Sequence, residues 1–209
     1  MKKSILVLFL VTLLLPTSKF TIANATIIQE KTGGAVYNCT ISKIPSNMKE
    51  LLDCNNIYIT DVTIDTISIF RCKSSTTMGL YDGTTRNIYV SARYGNTTQV
   101  SHVLSHELGH ALDAFTKEDE KMNDEPNKIF YTAGWVGKYS NTSEFKELKE
   151  LYYSAILPYS QELYFNDINE FFAESYAIYV ENPNLRSKFP HLYSYYDRVT
   201  RSISRELQK

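Results

Sequence analysis

The hydrophobic pattern of this chain changes its period near residue 96, and that change limits the folds available to it. Between residues 57 and 91, short β-branched and aromatic runs are separated by turn-forming residues, which is typical of strands. Beyond residue 96, apolar residues recur every three or four positions, which is typical of amphipathic helices. Strands followed by helices predict an α+β fold, with a small N-terminal mixed sheet and a helical C-terminal lobe.

The individual elements follow from the same periodicities. The predicted strands span residues 57–59, 67–70, 78–81 and 88–90, and the predicted helices span 46–52, 96–115, 143–156, 167–180 and 190–207. Asn96 is a favourable N-cap for the second helix, and Gln99 occupies the position of a capping-box partner.

The first 25 residues have the composition of a secretion signal. Lys2 and Lys3 precede an apolar run over residues 5–15, and Ala23-Asn24-Ala25 forms an A-x-A cleavage site. We therefore expect residues 1–25 to be removed, leaving 26–209 as one extracellular domain without stable membrane association. An uncleaved N-terminal anchor is the alternative.

Charge and cysteine content narrow the function further. The chain has 22 basic and 23 acidic residues without a basic stripe, which argues against a nucleic-acid partner. Cys39, Cys54 and Cys72 are its three cysteines, and outside the cell two of them can pair. The sequence leaves all three pairings open.

The second predicted helix carries the sequence His106-Glu107-Leu108-Gly109-His110, an HExxH motif. Residues four apart lie on one helical face, so both imidazoles face the same point and can bind one zinc ion without closing its coordination shell. Glu107 lies beside that face, where it can take a proton from a water held by the metal. The motif predicts a zinc-dependent hydrolase.

Three neighbours of the motif have less certain roles. His102 lies one turn earlier without a following Glu, which favours a solvated or supporting role over ligation. Asp113 is placed to accept a hydrogen bond from a ligating imidazole, although a surface charge is an equal alternative. Gly109 costs about 1 kcal/mol of helix stability relative to Ala, which suggests a close backbone approach, with simple tolerance of the cost as the alternative.

A catalytic zinc site needs a third protein ligand. Glu170 and Glu174 lie four apart on one face of the helix at 167–180, and the residue pattern alone makes them equal candidates. A competing interpretation places Glu170 in a capping box with Asp167, where it would bind backbone amides.

The strings HELGHALD, residues 106–113, and NEFFAES, residues 169–175, resemble zincin metallopeptidases related to the catalytic domain of anthrax lethal factor. The secreted Pro-Pro endopeptidases show a similar pair of motifs. The resemblance covers the two motif helices and the order of elements, about half of the mature chain. It implies a zincin-like fold and a bacterial source, with Glu170 as third ligand and Glu174 supporting the site from behind.

The same family places a tyrosine shortly before the Glu helix, where its hydroxyl stabilises the oxyanion. In the relatives it lies seven residues before the ligand, and that position is Leu163 here. Tyr164 is the nearest substitute, and Tyr159 is the alternative.

These expectations describe a secreted, monomeric zinc metalloendopeptidase. Its polypeptide substrate would lie extended along an edge strand from 78–82 or 87–91. The Pro-Pro preference is not carried over, because no matching specificity loop is recognisable. Two other functions remain open: a catalytically inactive zincin-like binding protein, against which the intact Glu107 argues, and a zinc hydrolase acting on a non-peptide amide.

Overall fold

A four-stranded mixed sheet forms the first part of the computed structural model. The strands are β1 (Ile27–Gln29), β2 (Asn56–Thr60), β3 (Gly79–Asp82) and β4 (Asn87–Ser91), in the spatial order β1-β2-β4-β3. β1, β2 and β4 are parallel, while β3 pairs antiparallel with β4. The structure describes residues 27–29, 33–60, 78–83, 85–93, 95–115, 137–160 and 167–207.

Six α-helices accompany the sheet in these ranges. They are α1 (Gly33–Ile41), α2 (Lys49–Asp53), α3 (Thr97–Ala114), α4 (Ser143–Ile156), α5 (Ile168–Glu181) and α6 (Pro190–Leu207), with short 3-10 helices at Ser46–Met48, Leu157–Tyr159 and Pro183–Ser187. The predicted α+β class is confirmed. None of the helices in the described ranges has both the length and the apolar composition needed to cross a membrane.

Most predicted elements occur where the periodicity placed them. The helices at 143–156 and 190–207 have the predicted bounds, and the one at 46–52 appears as a 3-10 helix followed by α2. β1 and α1 were not predicted. The signal segment 1–25, the strand at 67–70 and Cys72 lie outside the described residues.

Helix α3 is buried between the sheet and α5. The capping box predicted at its start is present: Asn96 Oδ1 accepts from the amides of Thr98 and Gln99, and the Asn96 amide donates to Gln99 Oε1, each at 3.0 Å. Thirteen of its eighteen residues are buried. The helix therefore packs on protein around most of its surface, in contact with β3, β4, α1 and α5.

Helices α3 and α5 approach closely at one point. A Cβ atom on Gly109 would lie only 2.7 Å from Cα and 2.9 Å from the carbonyl oxygen of Ala173. Glycine at 109 therefore allows the two backbones to touch, as its cost in helix stability suggested.

Aromatic packing holds α5 between α4 and α6. The Phe145 ring of α4 lies 4.9 Å from that of Phe172, and the Tyr196 hydroxyl of α6 donates to the Phe172 carbonyl at 2.8 Å. These three side chains are fully buried. Burying a side chain of this size contributes about 1.5–3 kcal/mol, so this packing stabilises α5 against α4 and α6.

Candidate metal centre

Three potential metal ligands from two helices converge beside the Gly109–Ala173 contact. Glu170 Oε2 lies 3.2 Å from His106 Nε2 and 3.5 Å from His110 Nε2. One donor atom of each residue lies within 4.8 Å of those of the other two. The structure thus brings together the two histidines of the HExxH motif and Glu170.

The spacing of these donor atoms suits a tetrahedral zinc ion. Zinc binds imidazole nitrogen and carboxylate oxygen at about 2.0–2.1 Å, so two ligand atoms on a tetrahedron lie about 3.3 Å apart. The observed separations of 3.2 and 3.5 Å lie on either side of that value. The residues present therefore fit a zinc ion held by two imidazoles and one carboxylate.

Solvent exposure differs among the three residues of the centre. The side chains of His106 and His110 are 9% and 11% exposed, whereas that of Glu170 is 38% exposed. The two imidazoles are therefore largely enclosed, and Glu170 is the most solvent-accessible of the three residues.

Glu174 lies behind the centre. It contacts His106 and does not join Glu170 among the three converging donors. Its Oε2 is 3.0 Å from His106 Nδ1, and its side chain is 1% exposed. Because an ionised carboxylate only accepts, His106 Nδ1 carries a proton that it donates to Glu174, while Nε2 is the nitrogen that faces Glu170. The two carboxylates that looked equivalent in sequence thus face different nitrogens of the same ring.

Asp167 caps the start of α5, because its Oδ1 accepts a hydrogen bond from the Asn169 amide at 2.7 Å.

The paired groups shift one another's protonation. Burial alone would raise the pKa of Glu170, but hydrogen bonds with His106 and His110 and their charges hold it well below its ordinary range. Burial alone would lower the pKa of His106, yet hydrogen bonds with Glu170 and Glu174 raise it to about 10. In the metal-free centre His106 is therefore protonated, and a bound cation would replace that proton.

His102 belongs to the same buried network. It is 4% exposed, so the solvated alternative is wrong. Its Nε2 lies 3.2 Å from both oxygens of Glu174, and its Nδ1 lies 2.8 Å from Glu181 Oε2. The supporting alternative agrees with this placement.

Glu107 lies beneath the strand β3 and is 6% exposed. A Cβ atom on Gly79 would overlap Glu107 Oε1 and lie 2.6 Å from Val103 Cγ1, so a larger residue at 79 would displace these side chains. The Ser91 amide donates to the Met78 carbonyl at 2.8 Å. In an antiparallel ladder this makes the next pair non-hydrogen-bonded, and the N–H and C=O of Gly79 therefore point away from β4.

The order of the strands decides between the two predicted edge strands. Within the described part of the sheet, β3 is at the edge and β4 lies between β2 and β3. The alternative at 87–91 is therefore wrong, because both sides of β4 are occupied.

Asp113 is buried, so the surface-charge alternative is wrong. Its Oδ1 accepts from the amides of Tyr139 and Ser140, each at 2.8 Å, which ties the turn at residues 137–140 to the end of α3. Burial raises its pKa, and these hydrogen bonds and the charge of His110 oppose the rise without cancelling it. A contact that orients the His110 ring stays a prediction.

The remaining predicted residues are only partly described. Tyr164 lies outside the described residues, so its role stays a prediction. The hydroxyl of Tyr159 accepts a hydrogen bond from Lys188 Nζ at 2.8 Å. Cys39 and Cys54 are not bonded to each other.

The sequence did not single out three residues that touch this network: Gly79, Lys43 and Glu181. Lys43 Nζ lies 3.3 Å from Glu181 Oε1. Glu181 follows Glu174 by seven residues, two helical turns, and that spacing could have placed both on one face. The positions of Gly79 and Lys43 depend on long-range packing and left no local signal.

The wider comparison with known proteins gives no family for this chain. No protein-family model matches it, and no curated protein matches it. Its function is therefore inferred from the residues of the centre and their surroundings.

Proposed function

We propose that this protein is a secreted zinc-dependent endopeptidase with a zincin-like fold, in which His106, His110 and Glu170 hold one zinc ion. The observation that carries the proposal is the convergence of these three donors next to Glu107, directly beneath the edge strand β3. Structural histidine–carboxylate clusters need neither a neighbouring acid nor a strand edge beside them.

Zinc bound at this centre would supply Lewis-acid polarisation of a carbonyl and would lower the pKa of a water molecule to about 7. Glu107 is the general base that takes the proton from the attacking water and then passes it to the leaving amine. Its position under β3 and its burial keep the carboxylate within reach of a bond lying along the strand. Glu174 keeps the Nδ1 proton on His106, so that Nε2 remains a ligand.

The substrate would bind as an additional strand on β3. The N–H and C=O of Gly79 point away from β4 and can pair with an extended backbone. That backbone would pass above Glu107 and beside the exposed side of Glu170. A strand edge at this position favours a polypeptide over a small non-peptide amide, which needs no ladder of backbone hydrogen bonds.

An oxyanion donor completes the proposed machinery. Tyr164 is the proposed donor and Tyr159 the alternative, because the Tyr159 hydroxyl only accepts from Lys188 and keeps its own proton free to donate. Replacing Tyr164 by Phe should lower kcat with little change in zinc affinity.

Incubating the mature protein with a peptide library, with and without a chelator, tests the proposal. We expect chelator-sensitive cleavage, and we expect Glu107→Gln to bind zinc as tightly as the wild type while losing about 10²–10⁴-fold in turnover. Zinc binding without cleavage would favour the inactive binding protein. Hydrolysis of small amides alone would favour the non-peptide hydrolase.

A further inference from the structure

A buried row of alternating acidic and imidazole side chains extends from the metal centre to the far end of α5. Glu174 Oε2 contacts His106 Nδ1 at 3.0 Å, His102 Nε2 contacts Glu174 at 3.2 Å, and His102 Nδ1 contacts Glu181 Oε2 at 2.8 Å. The side chains of His102 and Glu174 are 5% and 1% exposed, and that of Glu181 is 11% exposed. Water therefore has little access with which to replace a missing partner.

The hydrogen-bonding chemistry of the row determines which groups donate. Both partners of His102 are carboxylates, which only accept when ionised, so His102 satisfies both by donating from both ring nitrogens. Burial lowers the pKa of His102, but hydrogen bonds with Glu174 and Glu181 outweigh burial and raise it to about 9. At neutral pH an imidazolium thus bridges the two acids.

The bridge restricts Glu174 in two directions. Glu174 accepts from His102 through both oxygens and from His106 through Oε2. The carboxylate plane is therefore set by two rings on adjacent turns of α3. Without His102, Glu174 would lose the contact that engages both of its oxygens and could turn away from His106 Nδ1.

The outer end of the row is itself anchored. Glu181 Oε1 lies 3.3 Å from Lys43 Nζ, just beyond α1, and accepts from Ser105 Oγ at 3.4 Å. Lys43 Nζ also lies 3.4 Å from Ser101 Oγ. Glu181 is thus held from α1 and α3 at once, and its position fixes that of the His102 ring.

We propose that His102 and Glu181 are positioning residues of the metal centre, which set the orientation and tautomer of His106 through Glu174. This inference rests on the proposed metal centre but does not depend on which bond the protein cleaves. Neither residue contacts the candidate ligands in the bonds given above. Their effect should therefore be seen in metal binding before any catalytic step.

The test compares the metal affinity of metal-free wild type with those of His102→Ala, His102→Gln and Glu181→Ala. Zinc affinity is measured by competition with a chromophoric chelator, and the ligand field by the visible spectrum after loading with Co²⁺. We expect zinc affinity to fall about tenfold in His102→Ala, the lower end of the range seen when the direct partner of a ligating His is lost, because His102 acts through Glu174. His102→Gln should recover part of the loss, because its amide can donate to Glu174. Glu181→Ala should lose about three- to tenfold, since it acts one step further away.

Thr200→Val is the matched control. Thr200 is 2% exposed, and its hydroxyl donates to the Tyr196 carbonyl at 2.8 Å within α6, so the substitution removes a buried hydrogen bond elsewhere. It should lower thermal stability and leave zinc affinity and the cobalt spectrum unchanged.

Four results separate the possibilities. Zinc affinities and cobalt spectra equal to wild type in His102→Gln and Glu181→Ala would overturn the positioning role, even if His102→Ala failed to fold. Equal losses in Thr200→Val would overturn it as well. A wild-type protein that binds no zinc would refute the proposed function and this inference together, whereas zinc binding without peptide cleavage would refute the endopeptidase alone.

Discussion

Substituting Gly109 by Ala tests whether the contact between α3 and α5 builds the metal centre. The new Cβ would lie 2.7 Å from Ala173 Cα, whereas ordinary contact begins at 3.4 Å. The two helix backbones must therefore separate by about 0.7 Å, because neither side of the contact is a side chain that can rotate away.

The substitution should lower the free energy of unfolding. Overpacking of this kind costs about 1–3 kcal/mol, and a backbone-to-backbone contact belongs at the upper end of that range. The gain in helix propensity from Gly to Ala returns about 1 kcal/mol. We therefore expect a net destabilisation of about 1–2 kcal/mol in the metal-free protein.

Gly109→Ala should also weaken metal binding. His106 and His110 lie on α3 and Glu170 on α5, so the separation moves the ligands apart. Functional geometry must be held within about 0.5 Å, and we expect zinc affinity to fall at least about tenfold, or 1.4 kcal/mol.

Urea unfolding of the metal-free protein and chelator competition measure these two quantities. Gly83→Ala is the control, because among the described residues its Cβ would meet Tyr81 Cε1 alone, at an ordinary 3.6 Å in a turn. A Gly109→Ala protein as stable as wild type, with the same zinc affinity, would refute the reasoning.

Two further predictions concern Glu107 and His102. Gly79→Ala should displace the Glu107 carboxylate and reduce turnover by about 10²-fold or more. Zinc affinity, measured by metal titration, should stay within about threefold of the wild-type value. Retained turnover in a kinetic assay would contradict the contact between Gly79 and Glu107. Because hydrogen bonds with Glu174 and Glu181 outweigh burial and raise the pKa of His102 from 6.5 to about 9, its stabilisation should be complete below pH 6.5 and lost as pH rises through about 9. Urea unfolding of metal-free wild type and His102→Gln should therefore show a stability difference of a few kcal/mol at pH 6 that narrows by pH 10, and a constant difference would contradict the bridge.

Local periodicity was sufficient to predict the long helices. The apolar spacing and the cap at Asn96 predicted α3, and Asp167 predicted the start of α5. Helix α1 was missed because it begins with Gly33-Gly34 and because its buried face includes the polar Thr40, which hydrogen-bonds to Ser101 Oγ. An apolar period therefore does not mark it.

The candidate site was likewise predictable only where it depends on local sequence spacing, and not where it depends on long-range packing. Four-residue spacing placed His106 and His110 on one face. It also placed Glu170 and Glu174 on one face, and it did not decide which of these two is the third ligand. The approach of α5 at Gly109 determines which carboxylate reaches the Nε2 atoms.

Strand order was undecidable for a similar reason. β3 and β4 have comparable short runs of apolar residues, and only the pairing of β4 with β2 makes β3 the edge. That pairing joins segments about thirty residues apart in the sequence, so no local sequence pattern predicts it.

X-ray absorption at the zinc edge, on mature protein loaded with one equivalent of zinc, is the most direct test of the central claim. The arrangement of His106, His110 and Glu170 predicts four-coordinate zinc with two imidazole nitrogens at about 2.0–2.1 Å and carboxylate oxygen in the same shell. A protein that takes up no zinc, or a zinc spectrum without imidazole scattering, would contradict it.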